Sequence, residues 1–236
     1  MTFNGDCFFG FCAARFNYVR INGALCKPFR TIFAFTGSRQ SCSFCFENLD
    51  KLTADIVKAS FRDEALVKVD RLQQDDTNRE CSAADVAGKP IDDAIGKAIE
   101  AANMKTIRWP SDGKFLGDWR EGERIAQSGR GLTWTDEAGQ ANGGNCYNCH
   151  QIDKAEISYG TIGPSLYNYG KIRGVADPAS AASKPIVEYT WGKIWNAKAY
   201  NACSNMPRSG HMGNLTEQQI KHIMALLLDP QSPVNK

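Results

Sequence analysis

Long apolar runs are missing from this sequence. None approaches the ~18 residues that a membrane-spanning helix needs, and the greasy run through Met224 to Leu228 lies inside an amphipathic pattern. No membrane span is expected. A surplus of one charge is missing too: 28 basic against 26 acidic residues leave a formal net charge of +2. The basic residues are scattered, so neither nucleic acid nor a polybasic membrane patch is expected. No internal repeat is visible, and no stretch alternates cleanly enough to predict a strand. Histidine is scarce, with three in 236 residues. No acid–base pair or activated nucleophile is recognisable, so no catalytic centre is expected in this chain.

Cysteine is not scarce. Nine in a chain of this size point to oxidising surroundings, to ligation of a metal or cofactor, or to both. The number is odd, so at least one thiol is free, intermolecular or removed by processing. The remaining composition, 42% hydrophobic and 23% charged, is that of an ordinary globular protein with one good domain or two small ones.

Residues 1–50 differ from the rest. They hold Cys7, Cys12, Cys26, Cys42 and Cys45, many phenylalanines, and no helical or strand period. Arg15, Arg20, Lys27 and Arg30 interrupt what a secretory signal would keep apolar. The segment reads as an atypical export segment or a non-native N-terminal extension rather than a small subdomain. From about residue 52 the pattern turns helical. ADIVKASFRDEALVKVDRLQQ spaces Ile56, Val57, Phe61, Leu66, Val67 and Leu72 amphipathically, and IDDAIGKAIEAANM puts Ile91, Ile95 and Ile99 on one stripe. Trp109 to Gly113 marks a turn and a boundary. Asp118 caps a third helix, WREGERIAQSG, and the Gly-rich TDEAGQANGGN reads as loop. The best-signalled element comes late. Thr216 and Gln219 form a capping box, Leu215 and Ile220 a hydrophobic staple, and Ile220, Ile223, Met224 and Leu227 one face, before Asp229-Pro230 stops the helix.

The stretch Cys146-Tyr-Asn-Cys149-His150 carries the chemistry. On a helical turn these three residues share one side. Two thiols can then anchor the edge of a flat ring while the imidazole reaches its centre, and this spacing is the attachment pattern of c-type haem. Zinc is the rival. A structural zinc site needs four ligands, usually with a second pair roughly 15–20 residues away, and the other CxxC, Cys42 to Cys45, lies far upstream without a histidine. A plain Cys146–Cys149 disulfide leaves His150 unexplained. Downstream, Met206-Pro207 offers a soft, neutral thioether as sixth ligand, which with histidine favours ferrous iron and electron transfer. Met212 and His211 are the competitors. A backbone carbonyl in the stretch around Pro164 is placed to accept the Nδ1 hydrogen of His150 and fix its tautomer. The aromatics Tyr189, Trp191, Trp195 and Tyr200 read as packing around the pocket, with one indole N–H a candidate donor to a haem propionate. Lys193 and Arg208 read as exposed charge, and His222 as a solvated surface histidine.

CxxCH, the Gly-Pro-x-Leu that follows it and the late Met-Pro together resemble class I cytochrome c, over roughly residues 110–236. The resemblance implies an all-α, class I cytochrome c-like fold around one covalently bound haem c. With the upstream reading it gives an N-terminal helical extension at 51–109 and a cytochrome domain at 110–236. The blocks GGNCYNCHQI, AEISYGTIGPSLYNYGKIRG, YTWGKIWNAKAYNACSNMPRSGHMG and LTEQQIKHIMALLLDPQSPVN are similar to the SoxX family, the mono-haem subunits of SoxAX cytochrome complexes. A weaker likeness runs upstream through Cys81, and none covers the first 50 or so residues. The likeness implies covalent haem on Cys146 and Cys149, axial ligands His150 and Met206, and the Pro164 backbone on the axial histidine. It implies a SoxA-like di- or mono-haem catalytic subunit, a SoxYZ-like carrier protein whose cysteine receives thiosulfate, a small soluble cytochrome acceptor, and a periplasmic setting. The alternative is an independent periplasmic electron carrier. Both Cys81 and Cys203 lie in the family-like region. They either pair and brace the methionine loop, or Cys81 bridges to a partner, or Cys203 is a small buried residue.

Overall fold

The computed structural model describes residues 43–236, and the expectations for residues 1–42 lie outside them. The chain divides after Ala54, within the first helix α1 (Ser43–Ser60), and Asp55–Lys236 forms one compact unit. Six further helices follow: α2 (Asp76–Val86), α3 (Asp93–Met104), α4 (Trp119–Gln127), α5 (Tyr169–Ile172), α6 (Lys184–Trp195) and α7 (Glu217–Leu228). Short 3₁₀ turns join them. Among the described residues the only β pairing is an isolated bridge between Glu64 and Val67. The fold is all-α.

The helical period read through residues 54–74 does not give one helix. α1 stops at Ser60, and the chain turns through Ala65 at φ +48° before a 3₁₀ turn at Val69–Leu72. Two local bonds divert it: Glu64 and Val67 exchange backbone hydrogen bonds, and the Asp63 carboxylate accepts from the Val69 amide. The apolar stripe finds little to cover it, with Ile56 and Phe61 each 54% exposed. α2 has no apolar stripe at all and is started by its cap, the Asp75 carboxylate accepting from Asn78 N. In α3, capped by Asp92, the expected isoleucine face is turned. Ile95 is exposed, while Gly96 and Asn103 are buried.

α4 and α7 cross at small residues. Asp118 caps α4 through Arg120 N. Gly117 N donates to Lys221 O at 2.8 Å, and Asp118 N donates to His222 Nδ1 at 2.8 Å. A Cβ on Gly122 would meet the His222 carbonyl oxygen at 2.1 Å, so only glycine lets the two backbones approach this closely. His222 is therefore half-buried at the crossing and holds the start of α4, not a solvated surface residue as its polar neighbours suggested.

The capping box of α7 forms as its sequence predicts, with Thr216 and Gln219 bonding reciprocally. The helix buries more than one stripe. Ile220, Ile223, Met224, Leu226, Leu227 and Leu228 are all buried, each contributing roughly 1.5–3 kcal/mol relative to exposure. Even Lys221 is buried, its ammonium paired with Asp112 at 2.7 Å and Glu217 at 2.9 Å. Trp191, fully buried on α6, packs edge-on to Phe115 and stacks on Trp195.

Candidate functional site

The loop entering the site needs its glycines. Gly143 N, Gly144 N and Asn145 N donate back to carbonyls of residues 125–130, and a Cβ on Gly143 would meet Ser128 O at 1.9 Å. The chain then makes a 3₁₀ turn at Cys146–Asn148, with Cys149 N and His150 N both donating to Cys146 O. This puts Cys146, Cys149 and His150 on one tight turn. Cys146 and Cys149 are both half-buried and unpaired.

Residues 160–166 lace this turn in place. Gly160 N donates to Tyr147 O, Gly163 N to Cys149 O and Leu166 N to Gln151 O. A Cβ on Gly163 would meet the His150 ring at 2.1 Å, so glycine lets the loop cradle the imidazole. His150 Nδ1 lies 2.7 Å from Pro164 O. Since a carbonyl only accepts, Nδ1 carries the hydrogen and Nε2 presents its lone pair. Among the described residues Nε2 has no hydrogen-bond partner.

Cys146 retains some exposed surface, but apolar atoms crowd its thiol and burial pushes it up to about 12. It is a neutral thiol, unlike the acidic cysteines of redox CxxC motifs. Tyr147, buried between the two cysteines, donates its hydroxyl to Glu123 Oε1 at 2.8 Å and accepts from Asp153 N. Burial raises the Glu123 carboxyl above its ordinary value, and the bond from Tyr147 works against this. Glu123 Oε2 is buried without a partner. No sequence pattern announced this pair, which joins α4 to the cysteine turn.

Met206 is half-buried and packs against the same apolar core as Cys146 and Leu166. No hydrogen bond links it to the cysteine turn; what joins them is that core. Met212 is 58% exposed, and His211 is exposed. Cys81 and Cys203 form a disulfide, with Cα atoms 5.5 Å apart.

The aromatics pack as expected, Trp191 on Trp195 and Tyr189 on Tyr200, while the candidate propionate donor and the basic side chains turn out differently. Both indoles spend their N–H groups on backbone, Trp191 on Arg108 O at 2.8 Å and Trp195 on Thr106 O at 3.1 Å, leaving none for a propionate. Arg208 is not an exposed charge: its side chain is 10% exposed and pairs with Asp75. Lys193 is half-buried and donates to Ala197 O. Sequence alone gave no sign that Asp75, Thr106 and Arg108 would reach Arg208 and the two indoles.

The donor set fits a haem better than zinc. Two unpaired thiols a turn apart, an imidazole whose Nδ1 is bonded to a backbone carbonyl, and a thioether on the same core suit covalent attachment with axial N and S ligands. Among the described residues no three His, Cys, Asp or Glu side chains converge as metal ligands. The side chains of Cys42 and Cys45 lie outside that description.

Fold, site and the family match over part of the chain together support a c-type cytochrome domain, an electron-transfer module that would carry covalently bound haem c. Residues 130–229 match the family model of cytochrome c. An uncharacterized lipoprotein of Aquifex aeolicus (strain VF5) is 40% identical over 132 residues, which span 56% of this chain and 59% of that protein.

Proposed function

We propose that this chain is a SoxX-like electron-transfer subunit of a SoxAX-type complex. It accepts electrons released when thiosulfate is joined oxidatively to a cysteine of a SoxYZ-like carrier protein. The observation that carries the haem assignment is the 2.7 Å contact between His150 Nδ1 and Pro164 O on a turn with two unpaired thiols. Cys146 and Cys149 would form the two thioether links, and His150 and Met206 would ligate the iron of a single haem. Bound there, haem c supplies a one-electron ferric–ferrous couple. The chain's own residues do the rest. The Pro164 carbonyl keeps the imidazole in one tautomer and raises its basicity. The Met206 thioether favours the ferrous state. Ile125, Leu166 and the α7 face keep the surroundings apolar.

What supports the thiosulfate reading is the length of the SoxX-like blocks, which together occupy most of residues 143–235. In that reading the reacting cysteine belongs to the carrier. A SoxA-like di- or mono-haem subunit would hold the catalytic centre, and a small soluble cytochrome would take the electrons onward. Joining thiosulfate to a thiol releases two electrons and a proton, so a single-haem chain would pass them on one at a time. The Aquifex relative is a lipoprotein. That supports an envelope location, here the periplasm.

Native purification from the source periplasm, followed by a denaturing gel stained for covalent haem, tests the reading. Two haem-positive bands in fixed proportion are expected, with thiosulfate-dependent reduction once carrier protein is added. A single band without that reduction would leave a lone electron carrier. No stain at this chain's mass would overturn the haem itself.

A further inference from the structure

Segment 202–208, which carries Met206, is held chiefly by a part of the chain upstream of residues 110–236. Cys203 is bonded covalently to Cys81 on α2. Arg208 pairs with Asp75, the N-cap of α2. Ala202 N donates to Glu100 on α3 at 3.2 Å, while Ala202 O accepts from the buried Lys198 ammonium at 3.3 Å. Both ends of the short stretch around Met206 are thus pinned to residues 75–100. Met206, three residues from the disulfide, has little to hold it: its N–H bonds to Ser204 Oγ, and its side chain is half-buried.

We propose that α2 and α3 form a clamp that keeps Met206 in place as a sixth ligand, with Cys81, Cys203 and Asp75 as positioning residues. The proposal rests on the reading of Met206 as that ligand. A thioether is a weak ligand, and its hold on iron depends on how rarely its loop swings away. Tying the loop at both ends cuts the conformations open to it. Without the clamp the open state is more populated and an outside ligand competes better. Two sequence regions that the motif leaves unrelated are thereby joined in one task.

The test uses the haem-loaded full chain in its ferric form. Imidazole is titrated in while the methionine-to-iron charge-transfer absorption is followed, and the reduction potential is measured alongside. Imidazole binds only where sulfur has left, so its apparent affinity rises in proportion to the open fraction. In C81S/C203S, imidazole is expected to bind about 10-fold tighter than in wild type, with covalent haem retained. D75N is the second variant. Asparagine caps a helix as well as aspartate, so α2 keeps its start and loses only the charge on Arg208. A smaller shift, about 3-fold in the same direction, is expected there. Affinity and potential equal to wild type in both variants overturn the clamp. If the disulfide variant cannot be loaded with haem, equality in D75N alone overturns it. M206A separates the two levels: an absorption band that survives it sinks the ligand assignment and the clamp with it. A band that depends on Met206, with imidazole affinity unmoved by the clamp variants, sinks the clamp alone.

Discussion

Replacing Gly122 by alanine sets two well-measured effects against each other. In a helix interior, glycine to alanine gains up to about 1 kcal/mol from backbone propensity. At Gly122 the new Cβ would lie 2.1 Å from the His222 carbonyl oxygen and 3.0 Å from Leu226 Cβ. A carbon–oxygen contact becomes comfortable near 3.3 Å, so α4 and α7 must part by about 1 Å. The obstacle is backbone and cannot rotate aside. Overpacking of this kind costs roughly 1–3 kcal/mol. Taking the upper end, and crediting the propensity gain of about 1, the net loss is about 2 kcal/mol, or a Tm lower by about 4–8 °C. Gly96 on α3 is the control. It is also buried and helical, but its Cβ would meet nothing closer than Ile91 Cγ2 at 3.6 Å. Gly96→Ala is expected to be neutral or to stabilise by up to about 1 kcal/mol. Urea denaturation of the haem-loaded chain, followed by far-UV circular dichroism and haem absorbance together, reads both. A Gly122→Ala protein as stable as wild type would refute the close crossing, and an equal fall in Gly96→Ala would show that the crossing is not its cause.

Two pH dependences follow. Hydrogen bonds from Lys221 hold the Asp112 and Glu217 carboxyls below their ordinary values. Their contribution is therefore present above the unfolded values near 4 and is lost as pH falls through the depressed folded ones. Urea midpoints should drop in acid for wild type, and Lys221→Met should flatten that drop; a drop of equal depth would show that the pairing does not matter. Glu123 has the opposite sign. Burial raises its folded value, so the fold keeps a proton that the unfolded chain has released, and stability declines as pH rises from its unfolded value through the folded one. Glu123→Gln, which leaves Tyr147 an acceptor, should remove that decline, and an unchanged pH slope would show that Glu123 ionises freely.

Local signals in the sequence were sound where one short stretch decided the outcome. The Thr216 capping box, the Asp118 cap, the turn at Trp109–Gly113 and the tight turn that carries Cys146, Cys149 and His150 need only neighbours in the chain. The carbonyl on His150 was also legible, because the Gly-Pro stretch follows so soon. Illegible were features decided by distant partners. His222 read as solvated from its own helix, and only the start of α4, about a hundred residues away, makes it half-buried. Arg208 read as free because Asp75 is remote. The period at 54–74 failed for the reverse reason: its stripe was real, but among the described residues little covers it, and Asp63 bends the chain locally.

The crossing of α4 with α7 also fixes an order of events. A chain emerging from its N-terminus has α4 and the cysteine turn complete long before residues 217–228 exist. Until then Gly117 and Gly122 face water where α7 will lie, and the apolar floor beside Cys146, which Ile223 will help supply, is not yet laid. The two thiols are most accessible in that interval, and the arrival of α7 is the step that shuts the site.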